Sequence, residues 1–346
     1  MSKSVVQNNS TLLLYTGENE VDGYNYLIYW IPEFLKSRIE FGILVRNSAL
    51  YKKIKNDFRM CYVFYARDGL DIENIFSKLG KLHSIFYVSN HQTNIHILRY
   101  NQYNHIFIGS KNYTQVFKVT KALRAYDELW LDSQACVDKI IKEMDISHLK
   151  IKLIGRPQLK RLTEGFKGEK FLLCVFEDID NFVSMDIIRH VVKLAFKNDF
   201  FIKFILKEVK QINIFLKSFK KQLEEFLLVS NIKYQINTNI SDDLIIQSRC
   251  IICDLKSYKK NSQSFLATGV PIYIYQPKNT TIETFFINQY VSLDGLYVFS
   301  CLEEFLEYFL SKDAKKEERE KFIEYWIGKS HIINNGFQKM LAKEAL

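Results

Sequence analysis

The chain has 346 residues, 47% of them hydrophobic, and a net charge of +9 at neutral pH. That length holds two domains of ordinary size, and only 4 prolines with 13 glycines exclude a chain dominated by linkers or disorder. Lysine supplies most of the positive charge, in runs such as 217–221 and 256–260, so the expected partners are anionic: nucleotide phosphates, anionic polymers or an anionic membrane surface.

In chain order, strand-like apolar runs fall at 11–15, 41–45, 61–65, 84–88, 105–109, 128–131 and 151–154. Helical patterns separate them at 24–37, 50–56, 72–79, 93–100, 114–124 and 134–143. A basic break follows at 155–168, punctuated by Pro157, Gly165 and Gly168. Strand patterns resume at 171–176, 201–206, 233–236, 250–253 and 272–275. The helices between and after them fall at 183–197, 208–228, 242–248, 262–268, 302–310 and 314–327. Such alternation predicts an α/β fold with parallel sheets covered by helices on both faces. The expected division is a first domain at 1–155, a basic linker at 156–168, and a second domain at 169–346 that includes the terminal helices.

The six cysteines sit at 61, 136, 174, 250, 253 and 301. Only Cys250 and Cys253 are close, and no second ligand pair stands at zinc-finger spacing, so no metal site is expected. Their segment, Arg249-Cys-Ile-Ile-Cys-Asp254, reads as an apolar strand, and buried thiols in a reducing, cytoplasmic setting follow. Residues 1–10 lack the apolar core of a signal peptide. No apolar run reaches the ~18 residues of a membrane span. No arginine–aromatic module points to nucleic acid.

Three segments stand out together: Asn104-His-Ile-Phe-Ile-Gly-Ser-Lys-Asn-Tyr-Thr-Gln115, Ala125-Tyr-Asp-Glu-Leu-Trp130 and Ile154-Gly-Arg-Pro-Gln158. They resemble the acceptor-side half of the CDP-glycerol glycerophosphotransferases, which build teichoic acids and related capsule polymers. Phe86-Tyr-Val-Ser-Asn90 and Asn94-Ile-His-Ile-Leu-Arg99 resemble the strand and helix ahead of that family's first catalytic motif. Phe265-Leu-Ala-Thr-Gly-Val-Pro271 resembles a segment of its donor domain. The likeness runs over about residues 40–330. It implies two Rossmann-like doubly wound domains facing a cleft, the GT-B plan, with donor nucleotide on the second domain and acceptor on the first. It also implies a bacterial transferase without a separate cofactor. Such an enzyme moves a glycerol-phosphate, or a related polyol- or sugar-phosphate unit, from a CDP-activated donor to a saccharide or polymer hydroxyl, at the inner face of the membrane.

The chain departs from that pattern where the chemistry lies. The family continues after the glycine with histidine, the residue suited to deprotonating a hydroxyl. Here Ser110 follows Gly109. The candidate catalytic residues are therefore Ser110, the nearby His105, and the carboxylates Glu177 and Asp178 after the first strand of the second domain. The family's second histidine is also missing, from Ile205-Leu-Lys-Glu208, where Lys207 offers charge instead. Candidate phosphate contacts are Arg156, Lys207, Asp254, Lys256, Ser257, Ser262 and Ser264, since a helix N-terminus with hydroxyls suits phosphate. Each residue also has a structural reading: a satisfied core histidine, a solvated carboxylate pair, an internal salt bridge, or ordinary helix caps. Two further functions stay open. One is a GT-B glycosyltransferase using a nucleotide sugar; the other is an inactive relative that binds and supports an assembly.

Overall fold

The computed structural model describes residues 10–109, 119–165, 171–176, 185–206, 214–230, 233–237, 239–276, 295–311 and 313–345. Contacts divide the chain into two units, Met1–Gln158 with Ser330–Leu346, and Leu159–Lys329.

The first unit alternates strands and helices: β1 (Leu12–Thr16), α1 (Glu20–Lys36), β2 (Phe41–Val45), α2 (Ser48–Asp57), β3 (Tyr62–Tyr65), α3 (Gly69–Lys78), β4 (Ser84–Tyr87), α4 (Ile95–Leu98), β5 (Asn104–Phe107), β6 (Glu128–Leu131), α5 (Gln134–Glu143) and β7 (Lys150–Leu153). Its seven strands lie in the order β3-β2-β1-β4-β5-β6-β7, and every pairing is parallel. The central strands are buried on both faces, which is why Leu12-Leu-Leu-Tyr15 reads as a continuous apolar run. On one face Leu12, Leu14, Phe86 and Trp130 pack with Leu27, Trp30 and Phe34 of α1. On the other, Leu13, Tyr15, Ile85 and Tyr87 pack with Ile72 and Phe76 of α3 and Ile140 of α5.

The second unit holds α6 (Lys160–Glu164), β8 (Phe171–Phe176), α7 (Met185–Lys197), β9 (Phe201–Leu206), α8 (Ile214–Val229), β10 (Tyr234–Asn237), α9 (Asp242–Gln247), β11 (Ser248–Asp254), α10 (Leu255–Thr268), β12 (Ile272–Tyr275), β13 (Tyr297–Phe299), α11 (Leu302–Leu310) and α12 (Lys316–Ile327). Its six strands run parallel in the order β10-β9-β8-β11-β12-β13. Both sheets start centrally, grow to one side, then return and grow to the other, which is doubly wound topology. Gly269 ends α10 with φ 75°, the left-handed geometry that glycine adopts without strain.

Several features differ from the sequence expectation, among them α10, which starts at Leu255 and not at the expected 262 because Asp254 caps it. Residues 330–346 belong to the first unit, through α13 (Lys329–Ile333) and α14 (Gly336–Glu344). The Phe337 ring of α14 lies 5.2 Å from Trp30 and 5.6 Å from Phe34, and Leu341 is fully buried beside them. Helical periodicity shows that α14 buries a stripe; it does not show which sheet the stripe covers. The expected basic linker is structured over its described part, residues 156–165. Leu162 of α6 is buried, and α6 packs on α9 and α10 in the second unit. Finally, β13 was not expected, because three residues are too few for a periodic signal. The expected helix at 114–124 lies largely outside the described residues, its described end being a short 3-10 turn at Lys121–Ala125. Among the described residues, no helix is long and apolar enough to cross a membrane.

Candidate functional site

In open parallel sheets ligands bind beyond the carboxyl ends of the strands, where the strand order reverses. That point lies between β1 and β4 in the first unit and between β8 and β11 in the second.

At the first point β1 gives way to Gly17, Glu18 and Asn19, and Asn19 caps α1 by accepting from the Asp22 N–H at 3.0 Å. Beside it, the chain leaving β4 carries His91 and Thr93. His91 Nδ1 lies 2.8 Å from Thr93 Oγ1 and accepts from the Thr93 N–H at 3.3 Å. Because a backbone N–H points at Nδ1, the hydrogen bonds assign the ring hydrogen to Nε2. Behind Thr93 stands Tyr15, its hydroxyl 3.4 Å from Thr93 Oγ1. Burial raises the Tyr15 pKa, opposed by the Thr93 hydrogen bond and by the charge of Arg46 at the end of β2. Arg46 is anchored through Nη2 to the Arg67 carbonyl at 2.9 Å.

Gly17 has no room for a side chain. A Cβ there would come within 1.9 Å of Thr93 Oγ1 and 3.2 Å of His91 Nδ1. Glycine is what lets the β1 turn close onto the β4 turn. A further network braces the far side. Asn94 Nδ2 donates to the Ser89 carbonyl and the Tyr126 hydroxyl, both at 2.8 Å, and the Tyr126 hydroxyl donates to Asn90 Oδ1 at 3.2 Å. Sequence reasoning did not single out His91. The available signal was a histidine with a threonine two residues on, just past a strand expected to end at 88.

His105 behaves as a core residue. It is 3% exposed, its Nδ1 lies 2.8 Å from the Tyr87 hydroxyl, and its Nε2 lies 3.1 Å from the Tyr100 carbonyl. Burial pushes its imidazole below the ordinary histidine value. It also stands four residues before Gly109, about 13 Å back along an extended strand. Both nitrogens are engaged, which leaves neither to take a proton from an acceptor. Arg156 lies past β7, buried, with Nε donating to Asp132 beyond β6. Burial opposes its charge, and Asp132 with Tyr29 more than offsets that, so its pKa is raised. This is an internal ion pair at the carboxyl edge of the first sheet.

In the second unit Asp254 caps α10. Its Oδ1 accepts from the Ser257 N–H at 2.7 Å, and its Oδ2 accepts from the Ser257 hydroxyl at 3.1 Å. Ser257 is fully buried, whereas Lys256 is exposed at the mouth of the same turn. Ser262 and Ser264 lie about two turns into the helix, buried and half-buried respectively. The structure thus gathers Asp254, Lys256 and Ser257 at one helix start and sets the two later serines apart from it. Ser110, Glu177, Asp178 and Lys207 fall outside the described residues.

No protein-family model matches the chain, and no curated protein does either. Solved structures do. UDP-GlcNAc 2-epimerase from Methanocaldococcus jannaschii is similar at TM-score 0.51 and 12% identity, over 96% of this chain and 99% of its own. A structure of accessory secretory protein 1, 2 and 3 from Streptococcus pneumoniae is similar at TM-score 0.54 and 12% identity, over 80% of this chain and 56% of that one. MurG from Acinetobacter baumannii reaches TM-score 0.49 at 8% identity. Together with the two doubly wound sheets, the likeness shows a GT-B fold.

Proposed function

We propose that the chain is a transferase that takes a nucleotide-activated donor on its second unit and passes the activated group to a hydroxyl of a saccharide or polymer. The observation that carries this reading is the start of α10. This 14-residue helix begins at the carboxyl end of β11, beside β8, where the strand order reverses. A helix N-terminus at that position favours a diphosphate, and exposed Lys256, Lys259 and Lys260 add positive charge along it. Asp254 accepts from the Ser257 N–H and hydroxyl, which supports the turn at the helix start.

The finer reading follows the resemblance of segments 104–115, 125–130 and 154–158: a CDP-activated donor and transfer of a glycerol-phosphate or related unit in surface-polymer synthesis. The hydroxyl gives up its proton to a base and attacks the donor's β-phosphorus, the bond from that phosphorus to the bridging oxygen breaks, and CMP leaves. Positioning and neutralisation of phosphate charge supply most of the acceleration in such transfers. A uridine-sugar donor is the second reading, favoured by the whole-length likeness to a protein named for UDP-GlcNAc. The net charge of +9 favours contact with an anionic membrane surface, a cytoplasmic setting in either reading.

Calorimetric titration with CDP, CDP-glycerol, UDP, UDP-GlcNAc and GDP tests the proposal. Selective binding of the cytidine compounds supports the finer reading and directs the assay to CMP release. Selective uridine binding moves the donor class to a nucleotide sugar. Binding of none overturns the transferase reading in favour of an inactive relative.

A further inference from the structure

We propose that His91 is a ligand-binding residue at the switch point of the first sheet, donating its Nε2 hydrogen to a hydroxyl oxygen of a saccharide or polyol. The proposal rests on the transferase reading above for its hydroxyl-bearing ligand, and it names the residue that meets that ligand. β1 pairs with β4 in parallel, so the turns that leave them, carrying Gly17 and His91, emerge side by side at the carboxyl edge.

The ring is held on one side only. Nδ1 is occupied by the Thr93 N–H and hydroxyl, and Tyr15 backs Thr93. Gly17 closes against the same edge of the ring. Nε2 has no partner among the described residues, and the ring is half-buried. A protein that only needed to cap a turn has no use for a ring fixed this way. Asparagine or serine would cap it as well. What the arrangement adds is one N–H donor, set in direction and in tautomer.

The neighbouring charges bear on what that donor meets. Glu18 follows Gly17, and its carboxylate acts on Tyr15 as the smallest of the influences there, below burial, Thr93 and Arg46. Arg46 acts on Tyr15 from the end of β2. A phosphate only accepts hydrogen bonds, and at this corner it is drawn by Arg46 and repelled by Glu18. A hydroxyl accepts from the His91 N–H and keeps its own hydrogen for a neighbouring acceptor, so the hydroxyl-bearing class follows the transferase reading. With Nδ1 taken and Nε2 carrying the hydrogen, His91 holds the ligand and does not deprotonate it.

Long-range proton–nitrogen NMR of protein with 15N-labelled histidine tests this on the full chain. The His91 signals are those lost in His91→Gln. They are expected to show the Nε2–H tautomer, and to move on addition of glycerol or N-acetylglucosamine but not inorganic phosphate. In His91→Asn, whose amide reaches only the Nδ1 position, binding of the moving probe weakens about tenfold. In His91→Gln, whose amide reaches the Nε2 position, it stays within about threefold of wild type. Binding in the variants is read from the other shifted signals, whose unchanged dispersion shows that the fold is intact. An Nδ1–H tautomer, movement with phosphate alone, no movement with any probe, or equal loss in both variants each overturns the proposal. Nucleotide binding by calorimetry without any His91 response would sink this assignment and leave the transferase reading standing. A His91 response without nucleotide binding would do the reverse.

Discussion

The indole Nε1 of Trp30 donates to the carbonyl of Gly109 across a buried 2.9 Å hydrogen bond. Trp30 sits on α1 and Gly109 just past β5, so the bond ties a helix on one face of the first sheet to the carboxyl edge of a central strand. Gly109 adopts φ 71°, a left-handed turn suited to glycine. Ser110 is the next residue.

Trp30→Phe keeps an aromatic ring beside Phe337 but removes the only donor seen for this carbonyl among the described residues. The orphaned acceptor and the lost ring volume cost about 2 kcal/mol. Denaturant titration measures the loss, and amide exchange at 106–108 is expected to speed up with it. Unchanged stability and exchange would mean that another donor takes over the carbonyl.

His105 sets a pH dependence. Burial lowers its folded-state pKa below the unfolded value of about 6.5. Between those two values the unfolded chain binds more protons than the folded one. Stability therefore falls as pH drops below about 6.5 and levels off once the folded-state pKa is passed. His105→Gln is expected to be less stable at every pH, since the contacts to Tyr87 and Tyr100 are disturbed, yet flatter across that window. Equal slopes in wild type and variant would remove His105 as the cause.

Much of the sheet architecture was legible because buried parallel strands write themselves as apolar runs. β2, β6, β8, β9 and β12 have the bounds that the pattern implies. His105 was legible only as an ambiguity. It stands in an apolar strand near a catalytic-looking loop, and only Tyr87 from β4 and Tyr100 reveal that both nitrogens are engaged. Asp254 and Ser257 fit a nucleotide contact or an ordinary cap in the sequence, because the two share residue types. Their mutual hydrogen bonds make the cap visible. His91 was missed for the opposite reason. It bonds Thr93, two residues away, which Tyr15 backs, and it lies against Gly17. Tyr15 and Gly17 are both more than seventy residues away, and a strand pairing brings them together.

The cysteines separate by environment. Burial pushes the Cys250 thiol up to about 12, and Cys174 and Cys253, also buried, are raised well above the ordinary range. Thiolate is the reactive form, so these three are expected to resist a short iodoacetamide pulse at pH 8. Half-buried Cys61 and Cys301 label before them. Peptide mass spectrometry after the pulse reads the order. Modification of Cys250 as fast as Cys301 would contradict a buried β11 and reopen a redox role for the C-x-x-C segment.

Gly17→Ala tests how tightly the two turns of the first sheet are joined. The added Cβ meets Thr93 Oγ1 first, and that hydroxyl cannot swing away without releasing His91 and Tyr15. A loss of about 1–3 kcal/mol is expected, typical of overpacking. A variant as stable as wild type would show that the β4 turn moves freely against β1.

The return of the chain to the first unit gives the last test. Glu344 near the end of α14 accepts from Ser84 Oγ and from Asn104 Nδ2, each at 2.6 Å, while Phe337 packs between Trp30 and Phe34. The carboxylate locks the helix to the amino ends of β4 and β5, and the ring fills the apolar face. Phe337→Ala is expected to cost the first unit about 3–5 kcal/mol, whereas Glu344→Gln, which keeps an acceptor oxygen, costs about 1–2 kcal/mol. The three tryptophans allow this to be read selectively. Trp30 and Trp130 lie in the first unit and Trp326 in the second, so a Trp326→Phe background makes fluorescence a reporter of the first unit alone. A lower denaturant midpoint in Phe337→Ala supports the assignment of α14. An unshifted midpoint would mean that α14 does not stabilise the first unit, and that the sequence-based division was right to leave it with the second.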